Sequence, residues 1–90
     1  MYSMEFIDMQ QKNFKESVNI LNHYLDKYMV YNLYDTSRQF KNYMATGKRK
    51  IPSKYIKRLI VMLDKEFEQE RVIEAIKKYY SSWEFIENGD

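Results

Sequence analysis

The chain has 90 residues, no cysteine and a formal net charge of +2. That length supports one small domain, residues 1–90, and not two, because a chain of this size buries only about 60 to 65% of its unfolded surface. The missing thiols exclude disulfides and thiolate zinc sites, so stability has to come from apolar packing, with or without a partner subunit.

At the N-terminus Glu5 and Asp8 stand where a signal peptide needs a cationic start. The longest aliphatic run, Leu59 to Leu63, falls far short of the roughly 20 apolar residues of a spanning helix. A cytoplasmic protein with no membrane association is expected. Frequent Lys, Asn, Ile and Tyr match the bias of an AT-rich coding sequence, which fits a low-GC bacterium or its phage.

With glycine only at positions 47 and 89 and proline only at 52, helix breakers are scarce. The fold class expected is all-α: a small helical bundle with a short helical centre between a long N-terminal and a long C-terminal helix. Met4, Ile7, Phe14, Val18, Leu21, Leu25 and Tyr28 recur at helical spacing and predict a first helix over about Glu5 to Met29. Gln11 interrupts that stripe, so its first two turns should pack less tightly. Val30 to Asp35 reads as a loop or one distorted turn. Thr36 with Gln39 forms a capping box for a helix that runs to Thr46 and stops at Gly47. A further helix starts near Pro52 or Ser53, with Ile56, Leu59, Ile60, Leu63 and Phe67 as its buried face. Val72, Ile73, Ile76, Tyr79, Tyr80, Trp83 and Ile86 continue less regularly, and residues 53–87 read equally as one helix or as two.

Charge is sorted along the chain. Residues 1–35 carry −2, residues 36–63 carry +8 with no acid at all, and residues 64–90 carry −4. Segregation of this kind makes a directed field that attracts a polyanion or an acidic protein. In the helix from Ser37 to Thr46, Phe40, Tyr43 and Met44 share one side, while Arg38, Lys41, Asn42 and Ala45 share the other. Arg and Asn pair bidentately with guanine and adenine edges, and Gln39 at the first turn has the same capacity. Lys41, the turn Lys48-Arg49-Lys50, and then Lys54, Lys57 and Arg58 suit phosphate oxygens, which fix position without reading sequence.

The run Asn42-Tyr43-Met44-Ala45-Thr46-Gly47-Lys48-Arg49-Lys50-Ile51-Pro52 resembles the end of the recognition helix and the following turn in Cro/C1-type, lambda-repressor-like helix-turn-helix proteins. The resemblance covers roughly residues 29–63. It implies a helix-turn-helix-like centre that binds double-stranded operator DNA, usually as a homodimer, with Ser37, Arg38, Gln39 and Asn42 at the base-reading positions. A small regulator of transcription from a phage or mobile element is the expectation.

Plainer readings stand beside it. The basic window is also explained as no more than a solvated cationic face, with or without pairing to the acidic C-terminal segment, and Gly47 to Pro52 as an ordinary helix end and start. Tyr79, Tyr80, Trp83, Phe85 and Ile86 form either a dimer or partner interface or core packed on the first helix. His23 is the sole histidine, and Glu66, Glu70 and Glu74 share a helical face; neither set makes a metal site, and no cofactor is expected. Without a Cys nucleophile, a Ser–His pair or a phosphate-cradling glycine loop, the chain is not expected to be an enzyme. A second function class fits as well: a phage-borne inhibitor of a host protein or nucleoprotein machine, in the manner of anti-CRISPR proteins. Either its acidic segment from Asp64 to Glu87 mimics nucleic acid, or its basic window grips an acidic surface.

Overall fold

Residues at positions 14, 17/18, 21 and 24/25 on one helix, and at 72, 75/76, 79 and 82/83 on another, all apolar except Ser17 and Ser82, recur with the three-and-four alternation of a coiled-coil seam. The computed structural model describes residues 3–28, 34–46 and 50–88, the side chains of residues 28, 34 and 84–88 excepted. It consists of four helices among the described residues: α1 (Met4–Tyr28), α2 (Tyr34–Ala45), α3 (Ser53–Met62) and α4 (Glu66–Asn88). The all-α bundle expected from the sequence is what forms, with the two short helices between the two long ones.

α1 and α4 make the largest interface. Lys78 meets Glu16 near one end of their seam and Lys27 meets Glu68 near the other, so the two helices run antiparallel. Phe14 stacks on Tyr79 with ring centroids 5.3 Å apart and lies 5.7 Å from Trp83. Leu21, Tyr24, Leu25, Val72, Ala75 and Ile76 fill the rest of the seam. Two buried serines sit among them. Their hydroxyls return to carbonyls of their own helices, Ser17 to Phe14 at 2.7 Å and Ser82 to Lys78 at 2.5 Å, so their small volume is used without leaving a polar group unpaired.

The first turns of α1 are looser, as the interruption at Gln11 predicts: Met4 and Met9 are exposed. Ser3 caps this end by accepting the Phe6 N–H at 3.2 Å. Because a helix of 25 residues is about 38 Å long, the molecule is extended, measuring 45 × 26 × 18 Å.

Two local expectations need correction, and one question left open is answered. α2 begins at Tyr34, so Thr36 lies inside the first turn and is buried rather than acting as the cap. Its hydroxyl accepts a long hydrogen bond from Arg58 Nη1 of α3 at 3.4 Å, tying the two short helices together. Of the two readings left open for residues 53–87, two helices is the one that forms. The break falls at Leu63, whose extended backbone ends α3, and whose carbonyl accepts the Gln69 side-chain amide at 2.7 Å. Finally, Phe67 is 61% exposed instead of buried. A continuous helix would have kept it in phase with Ile56, Leu59 and Leu63, but the break resets the phase so that Val72 begins the inward stripe.

α3 starts after Pro52, where a missing N–H costs nothing. Just before it, Ile51 is held to α4: the Tyr80 hydroxyl accepts the Ile51 N–H at 3.2 Å and reaches its carbonyl at 3.4 Å. Ile51, Leu59 and Leu63 then join Phe40 and Met44 of α2 in the shared core. The expected stop at Gly47 lies outside the described residues; before it, the Thr46 N–H bonds Asn42 O at 2.9 Å.

Candidate nucleic-acid interface

α2 is amphipathic across its short axis. Thr36, Ser37, Phe40 and Met44 make its buried stripe, and Arg38, Asn42 and Ala45 its exposed one. Arg38, Gln39 and Asn42 thus stand where the sequence placed them, toward or at the solvent side. Gln39 and Asn42 share a shallow surface cleft of about 290 Å³ with Tyr43 and Thr46, which brings two side-chain amides to one spot. Ser37 does not belong with them. It is 0% exposed, on the opposite side of the helix, and cannot reach a base edge from there.

Two of the α2 cations carry acidic neighbours. Arg38 Nη2 lies 3.2 Å from Asp35 Oδ1, an exposed pair of a kind that contributes little and opens readily. Lys41 Nζ pairs with Asp26 of α1, which joins the end of α1 to the middle of α2. Lys41 therefore serves the packing of α2 on α1, and a phosphate contact would have to displace that carboxylate.

The described cations of the next segment have no acid partner among the described residues. Lys54, Lys57, Arg58 and Val61 follow one another at spacings of three, one and three, which places them on one exposed face of α3. Lys50 is exposed just before that helix, and Lys54 Nζ lies 5.1 Å from the Tyr55 ring centroid. Among the described residues Lys50, Lys54 and Lys57 form no ion pair. Lys48 and Arg49 lie outside the described residues. The face borders α2 through the Arg58–Thr36 hydrogen bond and through Tyr43 and Tyr55, whose ring centroids are 6.1 Å apart.

The described acids of α4 are engaged elsewhere or exposed. Glu68 pairs with Lys27 at 3.6 Å, Glu74 with Lys77 at 3.8 Å, and Lys78 of the same helix with Glu16 at 3.9 Å. Among the described residues, none of the α4 carboxylates pairs with a cation from residues 36–63. Glu66 and Glu70 are exposed. His23 is also exposed, with its ring edge-on to Tyr24.

The C-terminal aromatic cluster is core where it is described. Tyr79 is 0% exposed and stacked on Phe14, so it is no partner surface. Burial, and then neighbouring Tyr80, push its phenol above the usual tyrosine range. Tyr80 is half-buried and engaged with Ile51, and Trp83 is half-buried against Phe14. The side chains of Phe85 and Ile86 lie outside the described set.

Sequence reasoning overlooked Asp26 and Asp35 as partners of the basic helix. Asp35 was visible, three residues before Arg38 at a spacing that brings helical side chains together. Asp26 was not, because its meeting with Lys41 depends on how α1 and α2 pack. Comparison with protein-family models, curated proteins and solved structures finds no match to this chain.

Proposed function

We propose that the protein is a small DNA-binding regulator of transcription, of the kind carried by phages and mobile elements, and that α2 is the helix presented to the major groove. The observation that carries this reading is the exposed cationic face formed by Lys50 and by Lys54 and Lys57 of α3, which meet no carboxylate among the described residues and adjoin the exposed stripe of α2. Arg38, Gln39 and Asn42 are the base-reading side chains. Lys50, Lys54 and Lys57, with Lys48 and Arg49 of the preceding turn, contact phosphates. Ser37 drops out of the reading set because it is buried, and Lys41 because it is paired with Asp26. With Tyr79 in the core, a homodimer would have to be built from other surfaces, so one chain on one half-site is the unit proposed.

The test is selection of duplexes from a random library, followed by the same selection with Asn42→Ala. A recovered motif that loses information at one position in the variant supports α2 as the reader. Recovery of no motif, together with no binding at low salt, removes the reading.

One observation favours the second class. Val61 is 79% exposed on the same face of α3 as Lys54, Lys57 and Arg58. An apolar side chain within a cationic face suits an acidic protein surface with an apolar contact at its centre. In an inhibitor of a host protein or nucleoprotein machine, that basic face and not α4 would be the gripping surface, since Glu68 and Glu74 are already paired. Val61→Asp separates the two classes: it should abolish such docking and weaken DNA binding only modestly. Charge reversal at Glu66, Glu68 and Glu70 should impair docking only if α4 mimics nucleic acid.

A further inference from the structure

On the side of the molecule where the segment before α3 meets α4, the surface opens into a groove of about 850 Å³. Its apolar lining is offered by the half-buried Ile56 and Tyr80, together with Ile51, which is itself 1% exposed. The Tyr80 hydroxyl is taken up by the Ile51 backbone, which leaves its ring as the wall. Lys50 and Lys77 stand at the rim, and Ser53 and Ser81 add two hydroxyls. Volume and lining both fall within the range of small-molecule sites, which combine an apolar body with a few convergent polar groups.

Charge defines the class of ligand. Lys50 makes no ion pair among the described residues, and Lys77 only an exposed one to Glu74 at 3.8 Å. Two ammonium groups with one carboxylate beside them leave a single positive charge at the rim. A neutral apolar molecule would not use that charge. A polyanion would meet Glu74, which lines the adjoining polar cleft with Lys77 and Lys78. A monoanion with an apolar tail satisfies both parts.

We propose that this groove binds a small amphipathic carboxylate, its apolar body lying on Ile56 and the Tyr80 ring and its head group held between Lys50 and Lys77. The hydroxyls of Ser53 and Ser81 are further donors to the head. Apart from Lys50, none of these residues belongs to the proposed DNA surface, so the inference stands whether or not the DNA reading does.

The experiment is an amide-resolved NMR titration of the full chain with octanoate and, separately, with 1-octanol. Saturable shifts confined to residues 50–56 and 77–81, with octanol binding roughly tenfold more weakly for want of the charged head, are the expected result. The K50E/K77E variant should lose octanoate binding while keeping its far-ultraviolet circular dichroism. K12E/K15E, which makes the same charge change at two exposed lysines of α1, should retain it. Equal binding of octanol and octanoate, shifts scattered over the surface, no shifts at all, or equal loss in K12E/K15E would each overturn the proposal.

Discussion

Along the α1–α4 seam Lys27 meets Glu68 and Lys78 meets Glu16, and the aromatic rings of Phe14 and Tyr79 are stacked between them. On the outer face of the α2–α3 pair Lys50, Lys54 and Lys57 meet no carboxylate among the described residues, and Val61 is left in water. The two long helices use their charges and aromatics on each other. The two short helices bury one stripe each and keep Arg38, Lys54 and Lys57 outward, while Lys41 is paired with α1. Separation of this kind assigns holding the fold mainly to α1 and α4, and leaves α2 and α3 as the helices on which the proposed partner surface lies.

The comparison breaks first if the seam proves dispensable. Tyr79→Ala should cost about 3–5 kcal/mol in urea unfolding, because it removes a fully buried ring from a small core. The double substitution Lys54→Ala and Lys57→Ala should leave the unfolding midpoint nearly unchanged, within about 0.5 kcal/mol. Equal losses would mean that the outer face of α3 is structural.

On the other side of the comparison, Asn42→Ala should weaken binding to a selected duplex by about 1–3 kcal/mol and relax preference at one base pair. Uniform weakening on every sequence would make Asn42 a backbone contact instead. Ser37→Ala sharpens the point: it should leave DNA preference unaltered. Its stability cost should be small, because the buried hydroxyl has no hydrogen-bond partner among the described residues.

The seam also has a signature in pH. Burial raises the Tyr79 phenol above its usual value, so above about pH 10 the unfolded chain loses this proton before the folded one does. Stability from this group is therefore complete below pH 10 and declines as pH rises through the range up to the folded value. Urea midpoints at about pH 8 and pH 10.5 should show that decline, and Tyr79→Phe should make it shallower. Smallest of all, a double-mutant cycle on Lys27 and Glu68 should return about 0–1 kcal/mol, since Lys27 is half exposed. A larger value would move the ion pair from trimming the seam to holding it.

How far the sequence foretold this depended on whether a feature was local. Helical spacing located α1 to within one residue at each end, and Pro52 marked the start of α3. The outward stripe Arg38, Asn42, Ala45 was also legible, because it follows from spacing alone. Ser37 was misread because resemblance to a motif assigned it a role, while its spacing of three from Phe40 and seven from Met44 already put it on the inward stripe. The exposure of Phe67 was not legible. It follows from the break at Leu63, which is secured by Gln69 reaching back across the corner, and no turn residue announces it. The pairing of Lys41 with Asp26, and the absence of any α4 acid from the basic face among the described residues, are products of packing. The second of these speaks, among the described residues, against pairing of the window with α4 and leaves the solvated-face reading open.

The central claim is that the cations of residues 36–63 are available to a polyanion. It is tested most directly by fluorescence anisotropy on duplex DNA at about 50 and 200 mM salt, comparing the natural chain with Lys50→Ala, Lys54→Ala and Lys57→Ala combined. The account predicts salt-steep binding by the natural chain and a slope reduced by roughly 0.9 log unit for each phosphate the variant leaves unneutralised. Binding with an unchanged slope in the variant, or no binding by the natural chain at the lower salt, would contradict it.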